Sequence, residues 1–263
     1  MPEIKVYKPS EALKPYVRYY WVLDCIEKFR TLTFPIGCPQ MIFHKKSPLY
    51  IPEINCHQNE FTISGQVNYP AHIASSGPTQ MIVAVFYPHT ISHFISTPPS
   101  AFYNLEISGY DIGNRQLNDI ASKILDCDDI RTCISLLDTW LIGEISSSAA
   151  RNRISHTIST ILENPSELIS VLAYEVCLGK KQFERTFREH VGMNPKEYAR
   201  IVRFQKVLWH LQHSHLNFPQ ISHDCGYADQ SHMIREFKTF SGHTPVELLT
   251  TVTPYSDLFT TPT

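Results

Sequence analysis

The chain has 263 residues, of which 43% are hydrophobic and 18% are charged, and its formal net charge at pH 7 is −2. This length fits two ordinary domains, and the hydrophobic content is sufficient for packed cores. The longest apolar run, at residues 81–87, is too short to cross a bilayer, which argues against an integral membrane protein. A mildly acidic chain is not a general nucleic-acid binder, so only a local basic cluster would indicate that function.

The cysteines and the N-terminus indicate the compartment. Seven cysteines are scattered along the chain without a C-x-x-C pair, and no cationic stretch precedes an apolar run near residue 1. An odd, unspaced set of cysteines favours reduced thiols, and the N-terminus lacks the pattern of a secretory signal. We therefore expect a cytoplasmic protein.

Residues 1–109 have the composition of a β domain. Short segments rich in β-branched and aromatic residues are separated by prolines, and they lie at residues 29–34, 41–44, 61–65 and 81–87. Many short strands between turn signals predict a β-barrel or a sandwich. One helix is expected within this region, at about residues 11–22.

Residues 110–150 predict a helical hairpin followed by a linker. Apolar residues recur at helical spacing on both sides of a break at residues 127–129, namely at Leu117, Ile120, Ala121, Ile124 and Leu125 and then at Ile130, Ile134, Leu137 and Leu141. This stripe can either pack on the β domain or form a dimer interface, and we favour a homodimer through residues 114–145. The serine-rich residues 146–150 are the best linker candidate, although they could equally continue a helix.

Residues 151–250 contain two helix-turn-helix patterns. The first breaks at residues 178–179, and its apolar positions at helical spacing are Ile169, Leu172, Ala173, Val176, Phe183 and Phe187. The second breaks at residues 225–227, and its apolar positions are Ile221, Met233, Phe237 and Phe240. Two short helices joined by a tight turn, the second apolar on one side and polar on the other, are suited to insertion into a major groove.

A single longer helix is predicted between the two patterns. Asn194 is a good helix cap and Pro195 a favoured first residue, so the helix should begin there and run for roughly 18 residues, or about 27 Å. Its apolar residues, Tyr198, Ile201, Val202, Leu208 and Leu211, should pack against both units. Such a strut would hold two recognition helices near one turn of B-DNA apart, about 34 Å, and DNA bending would cover any shortfall.

Basic residues are concentrated around the first pattern. Residues 180–206 hold eight lysines and arginines against three glutamates, which gives a local net charge of +5. The eight are Lys180, Lys181, Arg185, Arg188, Lys196, Arg200, Arg203 and Lys206. A cluster of this kind can bind phosphates even on a mildly acidic chain, although a solvated helix face would have the same composition.

The two units resemble the AraC/XylS family of transcription regulators. The matching stretches are residues 172–173, 183–188, 192–195 and Tyr198 in the first unit, and residues 221–224, 226–231, 235–238 and 242–245, which end in a Gly-x-Thr-Pro signature, in the second. Three positions depart from the family pattern: Gly179 replaces Ser, Ser222 replaces Ala and Val207 replaces Ala. Glycine still serves as a helix cap, and the Ser222 hydroxyl is expected to bond to a carbonyl one turn earlier.

The resemblance implies a sequence-specific transcription regulator that binds double-stranded DNA and RNA polymerase. By position on the recognition helices, the candidates for base contacts are Lys181, Gln182, Glu184, Arg185, Gln230, Ser231, His232 and Arg235. The candidates for phosphate contacts are Lys180, Arg188 and Lys238. Arg185 could instead pair with Glu189, four residues on, and Ile234 is expected to join the core rather than the DNA-binding face.

The first half resembles, through looser motifs, a cupin-like β domain found in part of the family. These motifs lie at residues 9–17, 20–21, 34–44, 64–66 and 83–88. The resemblance implies that this domain binds a small-molecule effector, dimerises, or does both.

The histidines argue against a metal site. A metal cupin would supply a His-x-His pair, and the N-terminal histidines, His44, His57, His72, His89 and His93, contain none. His89 and His93 are four residues apart, but in strand-like sequence this spacing does not bring side chains together. The one such pair, His213-Ser214-His215, together with His210 is expected at a solvated helix end. We therefore expect no metal and no cofactor.

The sequence thus predicts a two-domain α+β chain. Its parts are a cupin-like β-barrel or sandwich (residues 1–109), a helical hairpin and linker (110–150), an all-α double helix-turn-helix domain (151–250) and an irregular tail (251–263). We expect a regulator and not an enzyme. The alternatives are a cupin-type metal enzyme and an alkyl-acceptor repair protein, each with a DNA-binding tail. The repair protein needs a cluster of cysteines that bind zinc. Cys25, Cys38 and Cys56 lack the close pair spacing of such a cluster.

Overall fold

A computed structural model of the chain describes residues 3–145 and 149–250, without the side chains of residues 149–152. The predicted tail at 251–263 and residues 146–148 of the predicted linker lie outside the described residues. No helix within the described ranges is both long enough and apolar enough to cross a membrane.

The N-terminal half is built from short strands, as predicted. They are β1 (Glu3–Tyr7), β2 (Val17–Cys25), β3 (Arg30–Thr33), β4 (Gln40–His44), β5 (Tyr50–Ile51), β6 (Cys56–His57), β7 (Phe61–Ser64), β8 (Ala71–Ala74), β9 (Thr79–Phe86) and β10 (Glu106–Ser108). One sheet has the order β1-β2-β9-β4-β7-β10 and a second has the order β3-β8-β5-β6, and all pairs are antiparallel. Of the two predicted forms, barrel and sandwich, the two separate sheets correspond to the sandwich.

The long apolar run at residues 81–87 is explained by layers on both faces of β9. Successive side chains of a strand point to opposite sides. Ile82, Ala84 and Phe86 lie in the core under the helical hairpin, whereas Met81, Val83 and Val85 lie in a separate core that also includes Ile73 of the second sheet. A strand buried on both faces needs apolar residues at every position.

The predicted helix at residues 11–22 is wrong over most of its length. Only Glu11–Leu13 form a helical turn, and Val17–Cys25 is the strand β2, which pairs with β1 and β9. β2 is also buried on both faces, since Tyr20 and Val22 belong to the hairpin side and Trp21 and Leu23 to the other. Two buried faces remove the alternation that identifies a strand, so the apolar pattern of this segment resembles that of a helix.

The helices follow the predicted order. They are α1 (Arg115–Asp126), α2 (Ile130–Glu144), α3 (Ala149–Glu163), α4 (Ile169–Glu175), α5 (Lys180–Val191), α6 (Pro195–His213), α7 (Phe218–Asp224), α8 (Gln230–Ser241) and α9 (Pro245–Thr250). The apolar stripe of α1 and α2 is buried in one core with the six-stranded sheet. Of the two uses considered for this stripe, the structure shows packing on the β domain.

The C-terminal helices share a second core that also receives a side chain from the first half. This core contains Phe183, Phe187, Phe204, Phe237 and Phe240, and Phe34 from the segment after β3 joins it. The Phe34 ring meets the Phe204 ring edge-on, with centroids 5.9 Å apart. The two halves are therefore packed together through a hydrophobic side chain.

The packing of the hairpin on the sheet predicts the effect of Leu137→Ala. Leu137 is fully buried, so the substitution should lower the free energy of unfolding by about 2–5 kcal/mol, as expected for a truncated core leucine. Ile142→Ala on the same helix is the control, because Ile142 is 43% exposed. Urea unfolding measured by circular dichroism would reveal the difference, and equal effects of both changes would contradict the assigned packing.

Candidate nucleic-acid interface

The first helix-turn-helix unit is formed by α4 and α5. Gly179 precedes α5 as its cap, as predicted, and Gly192 ends it with a φ of 97°, a left-handed conformation that favours glycine. Phe183 and Phe187, one helical turn apart, are both 0% exposed and fix one side of α5 in the core. The opposite side of α5 consequently faces outward.

The outward side of α5 carries the predicted DNA-contacting residues of the first unit. Its exposed members are Lys180, Lys181, Gln182, Arg185 and Arg188, and Glu184 is half-buried. Among the described residues, no carboxylate lies within 4.0 Å of the Arg185 guanidinium, so the alternative pairing with Glu189 is not formed. Arg185 is thus available to a ligand.

The second unit is formed by α7 and α8. Asn217 and Gln220 close a capping box at the start of α7, and the Asp229 side chain accepts a hydrogen bond of 2.7 Å from the backbone N–H of His232 at the start of α8. These caps satisfy backbone donors that are otherwise unpaired at a helix start. Both helices are therefore fixed at their N-terminal ends, where a recognition helix meets the bases.

The predicted contact residues of α8 differ in accessibility. Ser231, Arg235 and Lys238 are exposed, whereas Gln230 and His232 are half-buried. The His232 ring packs edge-on against the Tyr227 ring at 5.2 Å, which restrains it. Ile234 packs against the C-terminal core, as predicted.

The helix α6 joins the two units. It begins at Pro195 after Asn194, whose side chain accepts a hydrogen bond of 2.8 Å from the Glu197 N–H, and its 19 residues span about 28 Å. The predicted apolar residues are in the core that both units share. The strut was therefore correctly predicted in position and length.

A buried carboxylate connects α6 to the second recognition helix. Glu236 of α8 is only 5% exposed, and its oxygens accept hydrogen bonds from Arg200 Nε at 2.7 Å and from Arg203 Nε at 3.0 Å. The Arg203 guanidinium also lies 5.1 Å from the centre of the Tyr227 ring. Two cations around one buried anion hold α8 in a fixed orientation on the strut.

This arrangement reduces the basic cluster that the sequence predicts. Arg200 and Arg203 are paired with Glu236, and Lys206 Nζ donates to the Glu163 carbonyl oxygen at 3.1 Å. Of the eight cations, those on an outward face are Lys180, Lys181, Arg185, Arg188 and Lys196. The surface charge is thus centred on α5.

Sequence reasoning did not identify Glu236, although a signal for it exists. Glu236 follows Met233 by three residues and precedes Phe240 by four, so it falls on the buried stripe of α8. A carboxylate on a buried stripe requires a cationic partner. The hydrogen bond expected for Ser222 is not formed: its buried hydroxyl has no partner among the described residues.

The histidine predictions have mixed outcomes. Residues 91–93 form a helical turn and not a strand, and the pKa of His89 is lowered to about 4, first by burial and then by the charges of His93 and His190. The strand-like setting expected for His89 and His93 is therefore wrong. Within the described residues, no group of three histidine, cysteine or acidic side chains has the geometry of a metal site. His210 and His213 lie in the last turn of α6, and His213 is exposed as expected. The His210 side chain is only 15% exposed and its Nε2 lies 3.3 Å from Asp224 Oδ2, so for His210 the expected solvated position is wrong.

The β domain contacts the DNA-binding half at several places, and residues 34–38 form one of them. The Gln205 side chain of α6 donates to the Pro35 carbonyl oxygen, and Gly37 lies against Tyr198 of α6. At Gly37, with a φ of 68°, an added Cβ would be 3.2 Å from the Tyr198 ring, so only glycine fits comfortably. Asn68 adds a hydrogen bond of 2.6 Å to Glu197.

The same segment forms part of the wall of a cavity between the two sheets. The cavity has a volume of about 410 Å³, within the range of small-molecule sites. Phe34, Ile36, Gly37 and Cys38 line it together with side chains of both sheets. One stretch of chain therefore borders a potential ligand site on one side and the strut helix on the other.

The ion-paired carboxylate of Glu236 predicts a large loss of stability on Glu236→Gln. The change leaves two arginines beside a neutral amide and should lower the free energy of unfolding by about 3 kcal/mol. This value is at the lower end of the range for breaking a buried ion pair, because Arg200 is partly exposed. Calorimetric melting would measure it. The matched control, Glu189→Gln on the exposed face of α5, should have little effect, and a similarly small effect of Glu236→Gln would refute the role given to Glu236.

Comparison with known protein families gives two matches. Residues 172–251 match the model of a helix-turn-helix domain, and residues 5–108 match that of a domain of unknown function, DUF6597. The first match begins within α4 and covers the rest of both units and the strut between them. The second covers the two sheets.

Individual relatives resemble part of the chain. The HTH-type transcriptional activator RhaS of Escherichia fergusonii is 28% identical over 98 residues, which are 36% of this chain and 35% of RhaS. RhaR of Salmonella schwarzengrund, another such activator, is 30% identical over 94 residues, 36% of this chain and 33% of RhaR. The chain thus spans about a third of the length of these curated relatives.

Solved structures are similar over longer stretches but at low identity. The structure of ToxT from Vibrio cholerae has a TM-score of 0.44 at 13% identity, covering 94% of this chain and 97% of ToxT. The paired helix-turn-helix units, the strut and the matched residues 172–251 lead to one conclusion. Residues 172–251 form an AraC-type helix-turn-helix domain.

Proposed function

We propose that this protein is a sequence-specific transcription regulator that reads two successive major grooves of double-stranded DNA. The observation that carries the proposal is the pair of outward polar helix faces, on α5 and α8, joined by one helix of about 28 Å. Because Glu236 fixes α8 to the strut, the two faces act as one rigid reader. A rigid reader of this size suits neighbouring turns of one duplex.

The first recognition helix is proposed to supply most of the electrostatic affinity. Its exposed cations are Lys180, Lys181, Arg185 and Arg188, and the outward cations of α8 are Arg235 and Lys238. In α5, Arg185 would contact guanine and Gln182 adenine, while Glu184 would accept from cytosine and Lys181 would add a further base contact. Lys180 and Arg188 would contact phosphates.

The second recognition helix is proposed to contribute fewer charged contacts. Ser231 and Arg235 are its exposed candidates for base contacts, and Lys238 is its candidate for a phosphate contact. Gln230 and His232 are less accessible and would contribute with their outer edges. The second subsite should therefore be read with lower affinity than the first.

Control of this activity is proposed to lie in the first half. A ligand in the cavity between the sheets would contact residues 34–38, which also touch α6. A homodimer through residues 114–145 would have to use the outward faces of α1 and α2, because the apolar stripe is buried. As a regulator, the protein would contact RNA polymerase on the promoter, work in the cytoplasm and carry no catalytic site.

The proposal is tested by selecting bound fragments from random DNA with the full chain. We expect a bipartite site whose two parts are centred about ten base pairs apart. Recovery of no enriched sequence, at a salt concentration where binding is still measurable, would contradict sequence-specific recognition.

Neutralising the arginines of the two recognition helices should have unequal effects. We expect Arg185→Ala to weaken binding to the selected site by about 1–3 kcal/mol and Arg235→Ala by less, because α5 carries more of the charge. Arg115→Ala, at an exposed position of α1, is the matched control and should not change the affinity. Gel-shift titrations at one salt concentration give the three values, and equal losses for Arg185→Ala and Arg235→Ala would contradict this assignment.

The rigid strut predicts how binding responds to the spacing of the two subsites. Inserting about five base pairs rotates one subsite to the other side of the duplex and should abolish bipartite binding. Inserting about ten restores the rotation but moves the subsites beyond the reach of one strut, so binding should stay lost. Restored binding with the longer insertion, measured by footprinting, would instead indicate two separate molecules, one on each subsite.

A further inference from the structure

The walls of the cavity between the sheets are largely apolar. Trp21, Leu23, Ile42 and Met81 contribute from the six-stranded sheet, and Ile73 and Ala71 from the smaller one. A ligand in this space would therefore bury a hydrocarbon or aromatic body.

A carboxylate lies at one side of this apolar space. Glu106 on β10 lines the cavity, and its two oxygens accept hydrogen bonds from Ser64 Oγ at 2.8 Å and from Gln58 Nε2 at 3.1 Å. Gln58 is held in turn by the His44 ring at 2.8 Å. The chain thus builds a fixed support behind this carboxylate.

Glu106 has hydrogen-bond donors but no counter-ion. Arg30 also lines the cavity, but across the part of the chain that the structure describes the Glu106 carboxylate forms no ion pair within 4.0 Å with it or with any other cation. Burial raises the pKa of Glu106 to about 7, and the bonds from Ser64 and Gln58 offset part of that rise. A buried carboxylate in this state is stabilised by any cation that reaches it.

Gln66, whose side-chain oxygen is a second acceptor, also lines this cavity. Gln66 is 1% exposed, and its Nε2 donates to the Gly37 carbonyl oxygen at 2.9 Å, so its Oε1 is the remaining polar atom. That oxygen has no hydrogen-bond partner among the described residues. Buried acceptors without a donor are unfavourable and are usually satisfied by a partner.

We propose that this cavity binds a small, largely apolar primary amine, whose ammonium group donates hydrogen bonds to Glu106 and Gln66. An ammonium supplies three donors and the missing positive charge, whereas a carboxylate ligand would place a second anion beside Glu106. A neutral alcohol supplies one donor and no charge. The proposal deepens the effector control described above and rests on it for its regulatory meaning.

The position of the amine site gives it a route to the strut helix. Gln66 bonds to the Gly37 carbonyl oxygen, and a Cβ added at Gly37 would lie 3.2 Å from the Tyr198 ring of α6. The cavity, residues 34–38 and the strut are therefore neighbours. Binding that favours one arrangement of this segment would change the population of DNA-competent molecules.

The test compares three probes of equal chain length: octylamine, 1-octanol and octanoate. Isothermal titration calorimetry on the full chain at about pH 8, where Glu106 is ionised, should show one octylamine bound per chain. We expect octylamine to bind at least about tenfold more tightly than 1-octanol, and octanoate to bind most weakly. Equal binding of octylamine and 1-octanol, or preference for octanoate, would overturn the proposal.

Variants test the assigned groups. Glu106→Gln should remove the preference for octylamine over 1-octanol, whereas Glu60→Gln, at an exposed position, should keep it. Ala71→Phe fills the cavity from the smaller sheet and should abolish binding of all three probes. Melting temperatures confirm that each variant is folded, and an unchanged amine preference in folded Glu106→Gln would refute the role of this carboxylate.

The same protein distinguishes failure of this inference from failure of the proposed function. DNA affinity is measured without any amine, so loss of specific DNA binding with intact octylamine binding would refute only the regulator proposal. Specific DNA binding without octylamine binding would refute only the amine site.

Discussion

The DNA-binding half depends on one electrostatic arrangement, the carboxylate of Glu236 between Arg200 and Arg203. A lone charge buried at this depth would be strongly unfavourable, but two guanidinium groups and their hydrogen bonds offset its desolvation. The directional bonds also determine the rotation of α8 relative to α6, which apolar packing alone leaves less restricted. Two recognition helices on a flexible connection could not hold a defined distance from each other. Here the Glu236 side chain restricts the movement of α8 relative to α6.

In the N-terminal half, both faces of the larger sheet are apolar and must be covered by other elements. The helical hairpin covers one face, and the smaller sheet covers the other incompletely. The remaining space is the cavity, and its polar groups come from strands at the edge of the larger sheet, where Glu106 is opposite Ser64. An apolar space with oriented acceptors therefore arises from how two unequal sheets meet.

The sequence predicts secondary structure best where one face of a helix or strand is buried and the other is exposed to solvent. α5, α8 and the hairpin have this pattern, so their positions and outward residues could be predicted. The pattern fails for β2, because both of its faces are buried and the alternation disappears. It also fails for Arg200, whose role depends on a glutamate 36 residues away. The cavity could not be predicted, because its walls are brought together only by the folded sheets.

Phe34 has a consequence for how the chain can be divided. Its ring belongs by sequence to the β-rich half but occupies a place beside Phe204 in the helical core. A fragment that starts at residue 151 would lack this aromatic group, a deficit comparable to truncating a core phenylalanine, at a cost of about 3–5 kcal/mol. The helical half should therefore be less stable alone than in the whole chain.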